Sequence, residues 1–215
     1  MNAQIFFDAI RARPFGGRFS QAQVAGINGI LAAFEAVGDG RRATLAYALA
    51  TAYHETGARM VPVREGFAST DQGARRAVSN LAAARGPQSA VARYAQPQPP
   101  YGHVYYGRGH VQLTWIDNYR ASSADAGVDL VRDPDAMLDP VISARVLIRG
   151  LMDGRWNGRG KGIGHYEMLD GIPGLSRAEA VEARRTVNGQ DKAALIAGYA
   201  ADFDAALSAA GMSTA

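Results

Sequence analysis

Two glutamates, Glu55 and Glu65, are the side chains of this sequence best suited to acid–base chemistry. Glu55 ends an apolar helical run, and the negative end of a helix dipole disfavours a charged carboxylate, which favours this residue as a proton donor. Glu65 follows Arg64 in the stretch VREGF, and a neighbouring cation favours the ionised carboxylate that a base requires. Each glutamate can also be an ordinary surface charge. The pair therefore raises the hypothesis of a general acid and a general base.

Metal or phosphate chemistry is disfavoured by the residues around this pair. His54 precedes Glu55, but a zinc-binding helix would need a second histidine at position 58, where the chain has Ala58. The other histidines lack ligand-like spacing and the chain has no cysteine, so we predict no metal site and no cofactor. The glycine-rich stretch 154–162 ends on Gly162 instead of the Ser or Thr of a phosphate-binding loop. We interpret it as a flexible, basic surface loop.

The segment YYGRGHVQLTW, residues 105–115, combines aromatic faces with neutral hydrogen-bonding groups. Such a mixture suits a groove that binds sugars, since sugars present apolar faces and many hydroxyls. An aromatic-anchored hairpin inside a core explains the same pattern equally well. Asn118 and Asn188 are candidates to bind the amides of N-acetyl groups, although an isolated Asn is more often a cap or a turn residue.

The composition of the 215 residues is that of an ordinary globular protein, with 47% apolar and 20% charged residues. The 23 basic residues outnumber the 20 acidic ones, which mildly favours an anionic partner, but they form no stripe of the kind that nucleic-acid binding needs. No apolar run approaches the ~20 residues of a membrane span. The N-terminal stretch MNAQIFFDAIRARPF lacks the features of a signal peptide. We therefore expect synthesis in the cytoplasm, no nucleic-acid partner and no integral membrane segment.

Helical periodicity and capping signals predict the elements that must position the glutamates. Ser20 with Gln23, and Ser176 with Glu179, are capping boxes, and Asp139 before Pro140 marks a helix start. The predicted helices cover residues 2–12, 20–37, 41–56, part of 71–84, 117–127, a segment from 139, a segment from 176, and 193–209. The predicted loops cover 58–70, 85–104 and 154–174, and a short strand or hairpin is predicted over 105–115. The pattern indicates a mainly helical domain with a groove between two lobes.

The chain resembles glycoside hydrolase family 19, a group of chitinases and endolysins with a lysozyme-like fold. Separated motifs in the family's order carry the resemblance: AYHETG at 52–57, YYGRGHVQLTW at 105–115 with NY at 118–119, DPDAMLDPVISARV at 133–146, and VNG at 187–189. It covers about residues 45–200, and FGGRFSQAQVAGINGIL looks like the lead-in of small bacterial and phage members. It implies a mainly α, lysozyme-like two-lobed helical domain with a small β or loop element. That single catalytic domain would span residues 1–215, with N-terminal helices 1–40 packed on the family core.

The resemblance also implies roles for individual residues. Glu55 would be the general acid, and Glu65 would be the base that activates water in an inverting mechanism. Thr56 and Thr114 would help to position that base or the water. Gln112, Asn118 and Asn188 would bind the N-acetylated sugar, and we add further substrate-binding candidates from the same motifs: His54, Tyr106, Arg108 and Trp115. The spacing of the glutamates does not itself choose between an inverting separation of about 6.5–9.5 Å and a retaining one of about 5–5.5 Å.

Our functional hypothesis is a peptidoglycan-degrading glycosidase of the endolysin type, a monomer that hydrolyses β-1,4 bonds between N-acetylated sugars of the cell-wall glycan. We expect it to reach the wall after holin-type or other release. Asp117 and Gln190 depart from the pattern of plant chitinases, which disfavours activity on crystalline chitin. The alternatives are a chitinase of the same family that acts on chitin oligomers and a non-catalytic glycan-binding domain. A zinc amidase is a third class, against which the missing ligand set argues.

Overall fold

The computed structural model describes residues 1–167 and 174–213 as a mainly helical fold. Two short strands, β1 (Val63–Arg64) and β2 (Arg108–Gly109), form an antiparallel pair. The α-helices of the described residues are α1 (Ala3–Ala12), α2 (Gln21–Val37), α3 (Arg42–Glu55), α4 (Asp71–Arg85), α5 (Ala90–Tyr94), α6 (Ile116–Ala126), α7 (Pro140–Asp153), α8 (Arg177–Glu182) and α9 (Ala193–Ala209). Single 3-10 turns cover Glu65–Phe67, Pro134–Leu138, Arg155–Asn157, Ile163–His165 and Ala183–Thr186. Residues 168–173 of the predicted 154–174 loop lie outside the described residues.

The capping signals of the sequence set three helix starts as predicted. The Ser20 hydroxyl accepts a hydrogen bond from the backbone N–H of Gln23, and the Gln23 side chain accepts one from the backbone N–H of Ser20. Ser176 and Glu179 form the same reciprocal box at the start of α8. Asp139 caps α7 by accepting from two backbone N–H groups of its first turn. These side chains satisfy N–H groups that a helix start leaves without a partner.

The main lobe is built around α3. Its residues 43–52 are all buried, so this helix is enclosed by its neighbours instead of lying on the surface. Alanines at many of these positions allow close approach, and α9, α7 and α2 pack around it, while α1 packs on α9. Because this buried helix ends at Glu55, the carboxyl group of Glu55 lies at the edge of the main-lobe core.

The small lobe has its own apolar cluster, formed by Ala74 and Val78 of α4, Val91 of α5, and Val104 and Tyr106. The prediction of an irregular loop over 85–104 was wrong for its middle part, which forms α5. That helix starts at a Ser89 cap and exists because Val91 is buried against α4, a tertiary contact that overrides the proline-rich composition.

The strand prediction over 105–115 was right in type, but the partner strand lies elsewhere. Val63 pairs with Gly109 and Arg64 pairs with Arg108, so β2 is completed by a segment that we had predicted to be loop. Two-residue strands carry no detectable alternation, which explains why β1 was missed. The mainly α class with a small β element is confirmed. No helix in the described parts of the chain combines the length and apolar character needed to cross a bilayer.

Candidate active site

A cleft of about 760 Å³ lies between the two lobes, and both Glu55 and Glu65 line it. Residues of α4 and α5, among them Tyr94, form the wall on the small lobe. Residues from two stretches of the main lobe form the other wall, and these include Trp156 and Asn188. The structure therefore brings together the two carboxyl groups whose types and positions suggested acid–base chemistry.

Glu55 is held by a buried cation. One Nη atom of Arg184 lies 2.8 Å from Oε1 of Glu55 in an ion pair, and the exposed fractions of the two side chains are 3% and 16%. Arg184 lies in the 3-10 turn Ala183–Thr186, so a residue 129 positions away, counted from 55 to 184, fixes the carboxyl at the end of α3. Its positive charge opposes the unfavourable effect of the helix end on a carboxylate. Sequence reasoning missed Arg184 because no local signal links it to Glu55.

Glu65 is held by two neutral donors. The Tyr94 hydroxyl donates to Oε1 at 2.8 Å, and the backbone N–H of Gly107 donates to Oε2 at 2.8 Å. The backbone N–H of Glu65 donates in turn to the carbonyl of Gly107 at 2.7 Å. Burial raises the pKa of Tyr94, and the charge of Glu65 raises it further, so the hydroxyl stays protonated and keeps donating. The two donors fix the orientation of the carboxyl group.

Gly107 passes close to the side chain of Gln112. A Cβ atom at position 107 would lie 2.8 Å from Oε1 and 3.3 Å from Cβ of Gln112, so Gln112 would have to shift. The glycine thus lets the chain pass close to Gln112 while its backbone N–H reaches Glu65. Tyr94 was missed by sequence reasoning for a different reason, since it lies in the segment we had expected to be loop.

Three of the predicted site residues line the cleft and are joined to one another. The Gln112 amide donates to the carbonyls of Val63 and Gly109 at 3.0 and 3.2 Å. The Thr114 hydroxyl donates to the Gln112 carbonyl at 2.8 Å, and the Asn118 amide donates to the Thr114 carbonyl at 2.8 Å. No donor in the described part of the chain reaches the amide oxygens of Gln112 and Asn118, so both can accept from a ligand.

The remaining predicted residues of the cleft supply an aromatic face and an exposed amide. Trp115 is 36% exposed and packs edge-to-face on Tyr94, with ring centroids 5.3 Å apart. Asn188 lies exposed on the main-lobe wall, and its amide oxygen accepts from the N–H of Gly189 at 2.8 Å. Trp156, which sequence reasoning did not single out, also lines that wall and donates its indole N–H to Ser122.

Tyr106 and Arg108 do not reach the cleft, so the geometry gives no support to the sugar contacts predicted for them. Their side chains are buried, with 0% and 1% exposed for Tyr106 and Arg108. Arg108 donates to Asp135 at 2.8 Å and to Asp71 at 3.3 Å, while Tyr106 donates to Asp71 at 2.9 Å. Arg64 of β1 donates to the same Asp135 at 2.7 Å. These contacts anchor β1 and β2 to Asp71 and Asp135, and Glu65 directly follows β1.

The electrostatics of Asp135 agree with this structural role. Burial by itself would raise the pKa of Asp135, but its hydrogen bond to Arg64 and the charge of Arg108 lower it overall. The carboxylate thus stays ionised between two guanidinium groups at neutral pH. One carboxylate that joins a residue of β1 to a residue of β2 holds the register of the pair.

His54 and Thr56 also lie outside the cleft wall. Thr56 is fully buried; its hydroxyl donates to the Ala52 carbonyl at 2.6 Å and accepts from the Met60 N–H at 2.9 Å. Those contacts close the turn after α3 and leave the hydroxyl occupied. His54 is half-buried, and burial lowers its pKa against the opposing effect of the Glu55 charge. Thr56 thus supports the end of α3, and neither residue lines the cleft.

The described residues contain no group of three His, Asp or Glu side chains arranged to hold a metal ion. The chemistry that the cleft offers is that of two carboxyl groups in different surroundings. Glu55 faces a buried cation, whereas Glu65 accepts from a hydroxyl and an amide. Two carboxyl groups in one cleft, beside amide acceptors and an exposed indole, suit acid–base cleavage of a bound sugar chain.

Comparison with known proteins yields a family match over residues 9–157, to the model described as class I chitinase of glycoside hydrolase family 19. The match includes Glu55, Glu65 and the segment 105–118, whereas Arg184 and Asn188 lie beyond it. Among curated relatives, inactive chitinase-like protein 1 of Hevea brasiliensis is 42% identical over 60 residues, which is 26% of this chain and 19% of the relative. Endochitinase 1 of Theobroma cacao is 46% identical over 57 residues, 24% of this chain and 18% of the relative. The matched segments thus span about a fifth of these relatives.

Solved structures agree on the fold. Chitinase C from Streptomyces griseus HUT6037 superposes with a TM-score of 0.53 at 22% identity, over 98% of this chain and 76% of that one. A crystal structure of a chitinase C mutant gives a TM-score of 0.52 at 20% identity, over 100% of this chain and 94% of that one. The lysozyme-like helical fold predicted from the sequence is confirmed by this likeness.

Proposed function

The chain belongs to the class I chitinase family, glycoside hydrolase family 19, and from that membership we propose that it hydrolyses β-1,4 bonds between N-acetylated sugars. The observation that carries the proposal is the joint position of Glu55 and Glu65 in one cleft, each with its own set of donors. In the proposed reaction, Glu55 gives its proton to the glycosidic oxygen as the bond to the anomeric carbon breaks. A water that gives its proton to Glu65 attacks the anomeric carbon from the opposite face, with inversion.

The contacts of Glu65 support its proposed role as the base. Glu65 accepts from Tyr94 and Gly107, which suits a carboxylate that must begin the reaction ionised. Arg184 pairs with one oxygen of Glu55, so the other oxygen is the one that carries and transfers the proton in our proposal. After the transfer, the guanidinium of Arg184 stabilises the carboxylate that has formed. Arg184 is therefore proposed as a positioning residue.

We further propose that the substrate is peptidoglycan, reached after holin-type or other release, with chitin oligomers as the alternative. The formal net charge of +3 fits an anionic wall polymer better than the uncharged chain of chitin. The departures Asp117 and Gln190 from the plant pattern support the same preference. A non-catalytic glycan-binding domain remains a second candidate, because one of the relatives is named an inactive chitinase-like protein.

The test compares Glu55→Gln with Glu35→Gln, since Glu35 is an exposed glutamate of α2 outside the cleft. Purified wall and soluble chitin oligomers are digested separately, and new reducing ends are counted. Loss of a general acid should lower the rate by about 10²–10⁴-fold, while the control should keep the parental rate. Unchanged hydrolysis by Glu55→Gln would rule out the acid role.

The same assay separates the candidate functions. Cleavage of the oligomers alone would identify a chitinase, and binding of glycan without new reducing ends in the parent protein would identify a binding domain. Mass analysis of the wall fragments names the cleaved bond, and the anomer formed first, read by NMR, tests inversion. Retention of configuration at the anomeric carbon would contradict the roles given to the two glutamates.

A further inference from the structure

We propose that arginines on both walls of the cleft bind carboxylate groups carried by the glycan and thereby select an anionic glycan over a neutral one. The inference rests on the proposed function, because it assigns the substrate class of the same cleft. Arg85, the last residue of α4, lines the wall on the small lobe. Arg159 and Arg185 line the wall on the main lobe.

The charges of the cleft are unbalanced once the catalytic pair is set aside. Among the described residues, the acidic side chains that line the cleft are Glu55 and Glu65. Arg184 lies 2.8 Å from Glu55 and balances its charge whenever that carboxyl group is ionised. Arg185 is itself paired with Glu182, so Arg85 and Arg159 are the wall cations that face the single charge of Glu65, and they leave a positive potential where a substrate would lie.

Two of these arginines have no carboxylate partner in the described residues. Arg85 and Arg159 are exposed and form no ion pair within the described parts of the chain. Arg185, in contrast, is paired with Glu182 at 2.9 Å. Arg85 and Arg159 share this lack of an ion pair in the described residues with other arginines, such as Arg76 and Arg132, whereas ion pairs occur in Arg11, Arg41, Arg42, Arg64, Arg75, Arg108, Arg120, Arg149, Arg155 and Arg184. As far as the described residues go, the guanidinium groups of Arg85 and Arg159 can therefore pair with a ligand.

The choice of cation matches the chemistry of carboxylates. Every basic residue of the chain except Lys161 and Lys192 is an arginine. A guanidinium presents paired N–H donors that fit the two oxygens of a carboxylate, which an ammonium does not. A polymer of N-acetylglucosamine has no such group. Peptidoglycan carries either the free lactyl carboxylate of its muramic acid or the carboxylates of the peptide attached there.

The test uses the double variant Arg85→Gln/Arg159→Gln and the control Arg76→Gln/Arg132→Gln. Arg76 lies on the same helix as Arg85, Arg132 is exposed as Arg159 is, and neither control residue lines the cleft or has an ion-pair partner among the described residues. Both variants remove two positive charges. Each is assayed at low and high salt on peptide-bearing peptidoglycan, on glycan strands stripped of peptide, and on chitin oligomers of matched length.

We expect the cleft variant to raise the KM for the anionic glycans by about tenfold at low salt, as two arginine–carboxylate contacts imply. Added salt should shrink the difference from the parent, because it screens exposed charges. The KM for chitin oligomers should change less than about twofold, in line with exposed charges that meet no partner. A larger effect on stripped strands assigns the contact to the lactyl carboxylate, and a larger effect on peptide-bearing glycan assigns it to the peptide.

Equal changes in the cleft and control variants, or an equal loss on chitin oligomers, would overturn the inference. Failure of the proposed function would give a different result. If the parent protein releases no reducing ends from any substrate, the proposal that it hydrolyses glycans is refuted. If that protein still binds the anionic glycans, in a centrifugation assay, and only the cleft variant binds them less, the arginine site is supported by itself.

Discussion

Replacement of Arg108 by methionine separates a structural role from a sugar-binding role. The side chain is 1% exposed, and its guanidinium donates to Asp135 at 2.8 Å, to Asp71 at 3.3 Å, to the Val104 carbonyl at 3.1 Å and to the Tyr119 hydroxyl at 3.1 Å. Methionine keeps most of the apolar stem and loses all of these donors.

The expected loss in the free energy of unfolding can be estimated from the surroundings of these four acceptors. The side chains of Asp71 and Asp135 are 39% and 40% exposed, so water screens both ion pairs and each contributes about 0.5–1 kcal/mol. The carbonyl of Val104 and the hydroxyl of Tyr119 are buried, and each lost bond to a neutral group costs about 1 kcal/mol. The free energy of unfolding should therefore fall by about 3 kcal/mol.

Urea denaturation measures this change, and chitin-oligomer binding is measured on the folded variant at low temperature. Arg64→Met is the matched control, because Arg64 shares Asp135 but is 19% exposed and should cost about 1 kcal/mol. Oligomer affinity of folded Arg108→Met should stay within about threefold of the parent, since a lost contact to the ligand itself would cost more. A variant with parental stability and no affinity would mean that Arg108 contacts the sugar, and the structural account would be refuted.

Two further predictions test the surroundings of Glu65 and the buried core. Tyr94→Phe removes one donor to Glu65 and should lower kcat by about tenfold with little change in KM, because a hydrogen bond to a charged group contributes about 1.5 kcal/mol; a change confined to KM would contradict this. Burial lowers the pKa of His110 to about 4, so the unfolded chain binds its proton first as the pH falls from about 6.5. The free energy of unfolding should fall by about 3 kcal/mol over that window, and urea titrations of His110→Gln should show a flatter pH dependence; an identical slope in parent and variant would refute the assignment.

Local signals predicted what depends on a few neighbouring residues. The caps at Ser20, Asp139 and Ser176 each involve side chains within three residues of their partners, so their sequence patterns suffice. α5 was missed because its existence depends on the burial of Val91 against another helix. The contact between Arg184 and Glu55 was missed for the same reason, since only the folded chain brings the two side chains together.

In the segment 105–115, the pattern of residue types does not predict which side chains are buried and which line the cleft. We rated a sugar groove and a buried hairpin equally, and the structure divides the segment between them. Tyr106 and Arg108 are buried, whereas Gln112, Thr114 and Trp115 line the cleft. The change occurs around Gln112, whose φ of 52° lies in the left-handed region that non-glycine residues rarely adopt. The sequence does not predict that conformation, because glutamine has no preference for it.

The two carboxyl groups belong to different packing units. Glu55 ends a helix enclosed by the main lobe, while Glu65 is tied through Tyr94 and Gly107 to the small one. The distance between the two carboxyl groups is therefore set by how the apolar cores of the two lobes pack against each other. We therefore expect that truncation of Val78, in the apolar cluster of the small lobe, will change the position of Glu65 relative to Glu55 although Val78 does not line the cleft.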